Sequence, residues 1–345
     1  MTTYDTVLVT GAGGFIGSHV ARRQLALGRR VRALDLHLSR LEGIADARLE
    51  RVEGDFTDPA VQAAAVQGVD LVVHLASAHL EVSLPAEAYW RVNVHALPGL
   101  LEACRGAGVR RFVHVSTVGV YGNVRHPPAD EESPCHPELL YDRTKLEGER
   151  QVQEFHRRTG FPVVIVRPVW VYGPGCPRTE RLFRSIRKGR FFFVGSGRTL
   201  RHCVYIDDLV DALELCATRE GAVGQTYVIG DARPVTIREL AEEIARATGA
   251  KAPRLHLPVW LVWGAGALAE VAFKPLRREP PLSRRTLRFF TGNTAFDISR
   301  AREGLGFAPR YTLAEGLRAY AAWERARPPR QGVASSQGRG SARGR

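Results

Sequence analysis

The 345-residue chain predicts an α/β fold, a doubly wound parallel sheet with a smaller C-terminal lobe. Three observations carry this. The chain opens with an apolar strand, a glycine-rich turn and a helix, in that order. Apolar, β-branched runs then alternate with helical patterns of ten or more residues, which parallel strands and their crossover helices require. After about residue 175 the alternation gives way to short strands, Gly- and Pro-rich loops and amphipathic helices.

The first strand is Thr6 to Thr10, short, apolar and β-branched. The glycines follow at once, and Ile16 to Leu27 carries apolar residues at helical spacing. The first N–H groups of a helix have no partner within it and its dipole is positive at that end, so such a turn binds anions. Glycine removes the Cβ that would hold a pyrophosphate off the backbone. The glycines that fit best are Gly11, Gly14 and Gly17, a G-x-x-G-x-x-G pattern, and Gly13 falls outside it. The second strand, Val31 to Asp35, ends on a carboxylate about 20 residues further on, where it can accept bonds from an adenosine ribose.

Leu49 to Glu53 is a third strand, ending at Gly54-Asp55. Asp58 and Pro59 open the helix after it, as cap and first-turn residue. Val69 to Ala76 is the fourth strand, with Asn93 in the long helix that follows. Arg111 to Thr117 is the fifth and Val163 to Pro168 the sixth. In such sheets ligands bind beyond the carboxyl ends of the strands, where Asp35, Asp55, Ala76, Thr117 and Pro168 lie. In the second half, short strands are expected at Arg190–Val194, Arg201–Ile206 and Tyr227–Ile229. Helices are expected at Arg181–Lys188, Asp208–Cys216, Thr236–Thr248 and Leu313–Arg325. Thr236 with Glu239 three residues on reads as a capping box. The expected domains are 1–175, the Rossmann-type domain; 176–325, a substrate lobe partly interleaved with it; and 326–345, a disordered tail of Arg, Gly and Ser.

Composition narrows the partners. The apolar fraction is 44% and the formal net charge +13. Much of that charge sits in the tail, which cannot bury a core, so no specific nucleic acid is expected. Five cysteines are scattered, without C-x-x-C, which fits a reduced cytoplasmic setting and predicts neither disulfides nor a metal site. The N-terminus runs straight into a strand, so no leader is expected. The longest apolar stretch, Leu257 to Phe273, is too short and too broken for a membrane span.

Tyr141-Asp142-Arg143-Thr144-Lys145 is the stretch that points to an enzyme. On a helix, Tyr141 and Lys145 share one face. A phenol has pKa about 10; a nearby ammonium and a cofactor's positive ring would lower it. Such a tyrosine can exchange a proton with a secondary alcohol while a hydride moves to or from nicotinamide. The hydroxyl pair Ser116-Thr117 lies at a strand end where it could assist.

Taken together, these motifs resemble the extended short-chain dehydrogenase/reductases of the NAD-dependent epimerase/dehydratase superfamily, from about residue 5 to about residue 325. The resemblance implies that Gly11, Gly14, Phe15, Ile16 and Gly17 hold the cofactor phosphates, and that Asp55 meets the adenine. It places Leu75, Ala76 and Ser77 beside the nicotinamide ribose, and Pro168 with its neighbours Arg167 and Val169 at the carboxamide. In Val115-Ser116-Thr117-Val118-Gly119-Val120-Tyr121-Gly122 the reactive hydroxyl falls on Thr117, with Ser116 beside it at the substrate. Tyr141 becomes the base and Lys145 its partner, both also touching the cofactor. Asp35 favours NAD over NADP, although Arg32 and Arg40 are near in sequence. A homodimer is expected.

Within the superfamily the signals divide. Gly195 to Asp208 is similar to sugar-nucleotide epimerases, in which the residue matching Arg201 binds diphosphate. Their Arg-x-Gly-Asp phosphate contact is not found. Glu279 to Ser283, Phe296-Asp297 and Leu305-Gly306-Phe307 resemble instead the 3β-hydroxysteroid dehydrogenase branch, and Pro258 to Trp263 suits an apolar lid. Dehydratases carry Asp-Glu where this chain has Val118-Gly119. The expectation is an NAD-dependent oxidoreductase acting on a secondary alcohol or ketone of an apolar, sterol- or lipid-like small molecule. The alternative is a nucleotide-sugar 4-epimerase. In the first case Arg201 would serve the fold, pairing with Asp207 or Asp208, or lie exposed. A non-catalytic NAD-binding scaffold is disfavoured by the intact Thr117, Tyr141 and Lys145.

Overall fold

A computed structural model describes residues 2–79, 84–273 and 284–327. Its centre is a sheet of seven parallel strands: β1 (Thr6–Thr10), β2 (Arg30–Asp35), β3 (Leu49–Glu53), β4 (Leu71–His74), β5 (Arg111–Val115), β6 (Val163–Pro168) and β7 (Thr226–Ile229). Their order is β7-β6-β5-β4-β1-β2-β3. The chain winds one way from β1 to β3 and the other way from β4 onward, so the crevice for a ligand opens between the ends of β1 and β4. Those two ends are tied together. Thr10 Oγ1 bonds His74 Nδ1 at 2.8 Å and accepts from the N–H groups of Leu75 and Ala76 at 3.2 and 3.3 Å.

Both faces of the sheet are apolar because helices cover both. Val7, Val9, Val73, Val113 and Val164 enter one core cluster, and Leu8, Val72, Phe112, Val163 and Ile165 the other. The strand expected at Tyr227–Ile229 in the second half runs Thr226–Ile229 and is the seventh strand of this sheet, with Tyr227 opposite Val166 in register. The helix Ile206–Thr218 also belongs here. It packs on β5, β6 and the helix Phe15–Ala26, and its Glu214 takes both terminal nitrogens of Arg29 at 2.7 Å.

The remaining lobe is built from small strand pairs. Trp170–Tyr172 runs beside Cys203–Tyr205, Leu200–Arg201 beside Val235–Thr236, and Phe193–Val194 beside His256–Leu257. Helices Pro177–Arg187, Ile237–Thr248 and Leu313–Ala326 pack together. The expected capping box at Thr236 is only half made. Thr236 Oγ1 accepts from Glu239 N at 3.0 Å, but the Glu239 carboxylate turns to Arg233. A reciprocal box occurs at Thr312 and Glu315, with bonds of 3.3 and 2.9 Å. The expected tail beyond residue 327 and the stretch Glu279–Ser283 lie outside the described residues.

Candidate active site

The glycine turn is close-packed at more positions than the sequence pattern suggests. Gly11 has φ +71°, and a Cβ there would stand 2.6 Å from Ala76 N. A Cβ on Gly17 would stand 2.1 Å from Gly11 O, and one on Gly13 1.8 Å from His37 O. Gly13, outside the predicted pattern, is thus as constrained as the others, because the chain just beyond β2 passes directly against it. Its N–H donates to Asp35 Oδ2 at 2.8 Å, while Asp35 Oδ1 accepts from Leu36 N at 2.7 Å. Gly14 precedes the helix without a side-chain cap, so the first turn keeps its N–H groups for an anion. Phe15 and Ile16, both half-buried, form that first turn.

Arg32, near in sequence to Asp35, is held elsewhere. It pairs with Glu50 at 2.7 Å and donates to the carbonyls of Ala65 and Gln67 at 2.8 Å. Asp55 sits at the end of β3, accepts from Thr57 N at 2.9 Å and lies 3.5 Å from Arg91.

Asn93 is a site residue that the sequence placed on a helix and no further. It sits in a π-helical turn, Arg91–His95, and is buried. Its Oδ1 accepts from Ala78 N at 2.9 Å and Ser77 Oγ at 3.1 Å; its Nδ2 donates to Ala78 O at 3.2 Å and Thr144 Oγ1 at 3.0 Å. One amide thereby ties the segment after β4 to the helix Leu140–Thr159. That helix comes close because Gly148 lies against Asn93: a Cβ there would be 2.6 Å from its carbonyl oxygen. The sequence signal is Gly148, a glycine in the interior of a long helix.

Tyr141 and Lys145 lie one turn apart on that helix. The Tyr141 hydroxyl bonds Ser77, and its ring meets His79 edge-on at 4.8 Å. His79 Nε2 is 2.6 Å from Arg178, contributed by the C-terminal lobe. Burial, reinforced by the neighbouring Asp142, pushes the Tyr141 phenol up to about 12, against the opposing pull of Arg178 and the Ser77 bond. The expected lowering by Lys145 is therefore not a property of the protein alone. Lys145 is buried and donates from Nζ to Val115 O at 2.8 Å; burial pulls it down to about 8, and Glu149, one turn on, opposes this.

Thr117 stands at the end of β5, half-buried, with Oγ1 accepting from Gly119 N at 3.0 Å. Ser116 is buried and its Oγ has no hydrogen-bond partner among the described residues. Gly119 lies against the Asp142 carboxylate: a Cβ there would stand 2.1 Å from Asp142 Oδ1 and displace it. Pro168 closes β6, opposite Ile229. Its neighbour Arg167 points into the core. It donates to Glu149 at 2.6 Å and to Tyr121 Oη at 2.6 Å, which anchors β6 to the tyrosine–lysine helix.

Arg201 is 5% exposed. It donates to Thr294 Oγ1 at 2.9 Å and to Phe289 O, and lies 4.8 Å over the Phe289 ring. Burial pulls its guanidinium down to about 10. It does not turn to Asp208, whose carboxylate accepts from Arg310 N and Tyr311 N at 3.0 and 3.1 Å. A cavity of about 350 Å³ is lined by Pro127, Pro128, Leu200, Phe296 and Arg302; none of Thr117, Tyr141 or Lys145 lines it.

The chain is similar to known proteins along most of its length. The chain is 33% identical to a dTDP-glucose 4,6-dehydratase of Streptomyces griseus, over 94% of both chains. It is 32% identical to a 3β-hydroxysteroid dehydrogenase/Δ5→4-isomerase of Mycobacterium tuberculosis, over 92% of this chain and 89% of the relative. An Escherichia coli O157:H7 4-epimerase of N-acetyl-α-D-glucosaminyl-diphospho-ditrans,octacis-undecaprenol is 27% identical, over 91% and 93%. Among solved structures, UDP-glucuronic acid 4-epimerase from Bacillus cereus in complex with NAD superposes with a TM-score of 0.75, at 25% identity over 93% and 99%. Residues 7–230 match the family described as NAD dependent epimerase/dehydratase. The glycine turn, the carboxylate ending β2 and the tyrosine–lysine helix all fall inside that match, and the chain belongs to the NAD-dependent epimerase/dehydratase family, the extended short-chain dehydrogenase/reductases.

Proposed function

We propose that the protein is an NAD-dependent oxidoreductase that interconverts a secondary alcohol and a ketone on an apolar, sterol- or lipid-like molecule. The observation that carries the substrate class is Arg201. Its guanidinium is buried and directed to Thr294 and to the Phe289 carbonyl in the last turn of the helix Arg284–Thr291. A carbonyl near a helix C-terminus needs such a donor, so this arginine serves the lobe rather than a substrate diphosphate.

The residues present fit NAD. Gly11, Gly13 and Gly17 let the turn close onto Ala76, His37 and its own backbone, and the uncapped first turn after Gly14 would present its N–H groups to the pyrophosphate. Asp35 would accept bonds from the adenosine ribose and repel a 2′-phosphate, and Arg32 is held away by Glu50. Asp55 would meet the adenine. Leu75, Ala76 and Ser77 would line the nicotinamide ribose, with Lys145 donating to its hydroxyls and Pro168 at the carboxamide. When bound, NAD accepts or supplies the hydride. Thr117 orients the substrate oxygen, with Ser116 behind it. Tyr141 takes the alcohol proton in oxidation and returns it in reduction. Because the protein alone raises the phenol, the positive charge of the oxidised ring and of Lys145 must act together to form the base.

A nucleotide-sugar 4-epimerase is the second reading, favoured by the likeness to the B. cereus enzyme. It would use the same residues without net redox. A 4,6-dehydratase is disfavoured because Val118-Gly119 stands where dehydratases carry Asp-Glu. The proposal includes a homodimer in the cytoplasm; the five free cysteines support a reducing compartment.

The test is purified protein offered sterols, long-chain β-hydroxy acids and UDP-sugars, with NADH absorbance and sugar isomers followed, in wild type and Arg201→Ala. We expect NADH from an apolar alcohol. Micromolar UDP-sugar binding that Arg201→Ala abolishes would overturn the reading in favour of the epimerase.

A further inference from the structure

Exposed large apolar side chains are concentrated in one place. Of the eight such residues among those described, six fall between Leu255 and Leu268. Trp260 is 74% exposed, Trp263 55% and Leu268 75%. The helix Val259–Phe273 faces the core through Val262 and Gly266, four residues apart. At 100° per residue, Trp263, Trp260, Leu268 and Leu261 form the opposite stripe. A helix apolar all round is normally enclosed by protein or lipid, and this one leaves its outer stripe uncovered.

The surrounding sequence is strongly basic. Residues 251–291 carry eight Lys and Arg against two Glu. Among the described residues, Lys251 and Arg254 precede the helix, and Arg284, Arg285 and Arg288 lie on the next one, Arg284–Thr291. That combination selects the partner. A second copy of the chain would bring like charge onto like charge. An anionic bilayer satisfies both features, because tryptophan and leucine enter the headgroup boundary while lysine and arginine meet lipid phosphates.

We infer that this helix is a docking surface that lays the protein on an anionic phospholipid membrane. It lies on the membrane rather than across it. Fifteen residues of helix reach about 22 Å, short of a hydrocarbon core of about 30 Å, and no described helix is long and apolar enough to span. The position has a consequence for access. Phe289, on the adjoining helix, packs edge-on against Trp170 at 6.3 Å and takes a bond from Arg201. Trp170 comes two residues after Pro168, at the end of β6. Docking therefore sets the bilayer against the lobe that covers the strand ends, where a molecule could pass from lipid to site.

The experiment is co-sedimentation of the full chain with vesicles of phosphatidylcholine alone and of equal parts phosphatidylcholine and phosphatidylglycerol. Wild type is compared with Trp260→Ser/Trp263→Ser/Leu268→Ser. Melting temperature and NAD affinity show that the variant is folded, since all three side chains are on the surface. The wild type should partition to the anionic vesicles, and the variant should do so about tenfold more weakly or less, as loss of several inserted apolar groups requires. Three results would overturn the inference. The wild type fails to bind anionic vesicles; the variant binds them as well as the wild type, so that charge alone acts; or sedimentation velocity shows a wild-type dimer that the variant breaks, so that a second copy covers the stripe. None of these readings involves turnover, so the substrate assignment stands or falls separately.

Discussion

Lys145 should cost the apo protein stability in a pH-dependent way. The ammonium is buried against the Val115 carbonyl, and burial lowers its pKa from 10.5 to about 8. At about 1.4 kcal/mol per pH unit, the charged form is disfavoured in the fold by about 3 kcal/mol. The folded value lies below the unfolded one. The unfolded chain therefore binds more protons between pH 8 and 10.5, and stability rises with pH through that window. Below pH 8 both states are charged and the cost is constant. Lys145→Met removes the titration but keeps an apolar stem. Urea unfolding of wild type and variant, without cofactor, isolates the effect, because all other titrations cancel in the difference. Relative to the variant, the wild type should gain about 2–3 kcal/mol between pH 7 and pH 10. NAD affinity and turnover should both fall in the variant. A difference that stays within about 0.5 kcal/mol across that range, the usual error of such comparisons, would mean that Lys145 is not a desolvated ammonium and that the site is more open than described.

Other substitutions probe the neighbouring parts. Tyr141→Phe keeps the ring but removes the transferable proton, so turnover should drop by about a hundredfold or more with NAD affinity retained; near-normal turnover would refute the assignment. Asn93→Ala should destabilise the fold by about 2–3 kcal/mol, because it leaves the buried Ala78 N–H unpaired and removes the donor to Ala78 O and Thr144 Oγ1. The same variant should lower kcat, since Ser77, which bonds Tyr141, also bonds Asn93. A loss under about 0.5 kcal/mol in denaturant unfolding would show that Asn93 does not hold the two segments together.

Local features of the chain were sufficient for much of this protein. Strands β1, β4, β5 and β6 follow from short apolar runs rich in β-branched residues, and the glycine turn follows from its position between a strand and a helix. Asp35 and the Tyr141–Lys145 pair follow from spacing along one element. In each case the deciding physics is local: steric freedom at glycine, the 3.6-residue turn, and a run of side chains buried on both faces of a sheet.

The rest was decided by residues far apart in the chain. Gly13 matters because Asp35, ending the next strand, and His37, just beyond it, come back against it. Thr226–Ile229 is the last strand of the main sheet only because β6 offers it an edge. Asn93 acquires its role when Gly148 lets two helices approach, and Glu239 leaves its cap because Arg233 is nearer than the pattern could show. The charge states behave likewise. Spacing put Lys145 beside Tyr141, but the pKa of each is governed by how much water the fold removes around it. Desolvation and long-range contact are sums over the whole structure, and no window of sequence contains them.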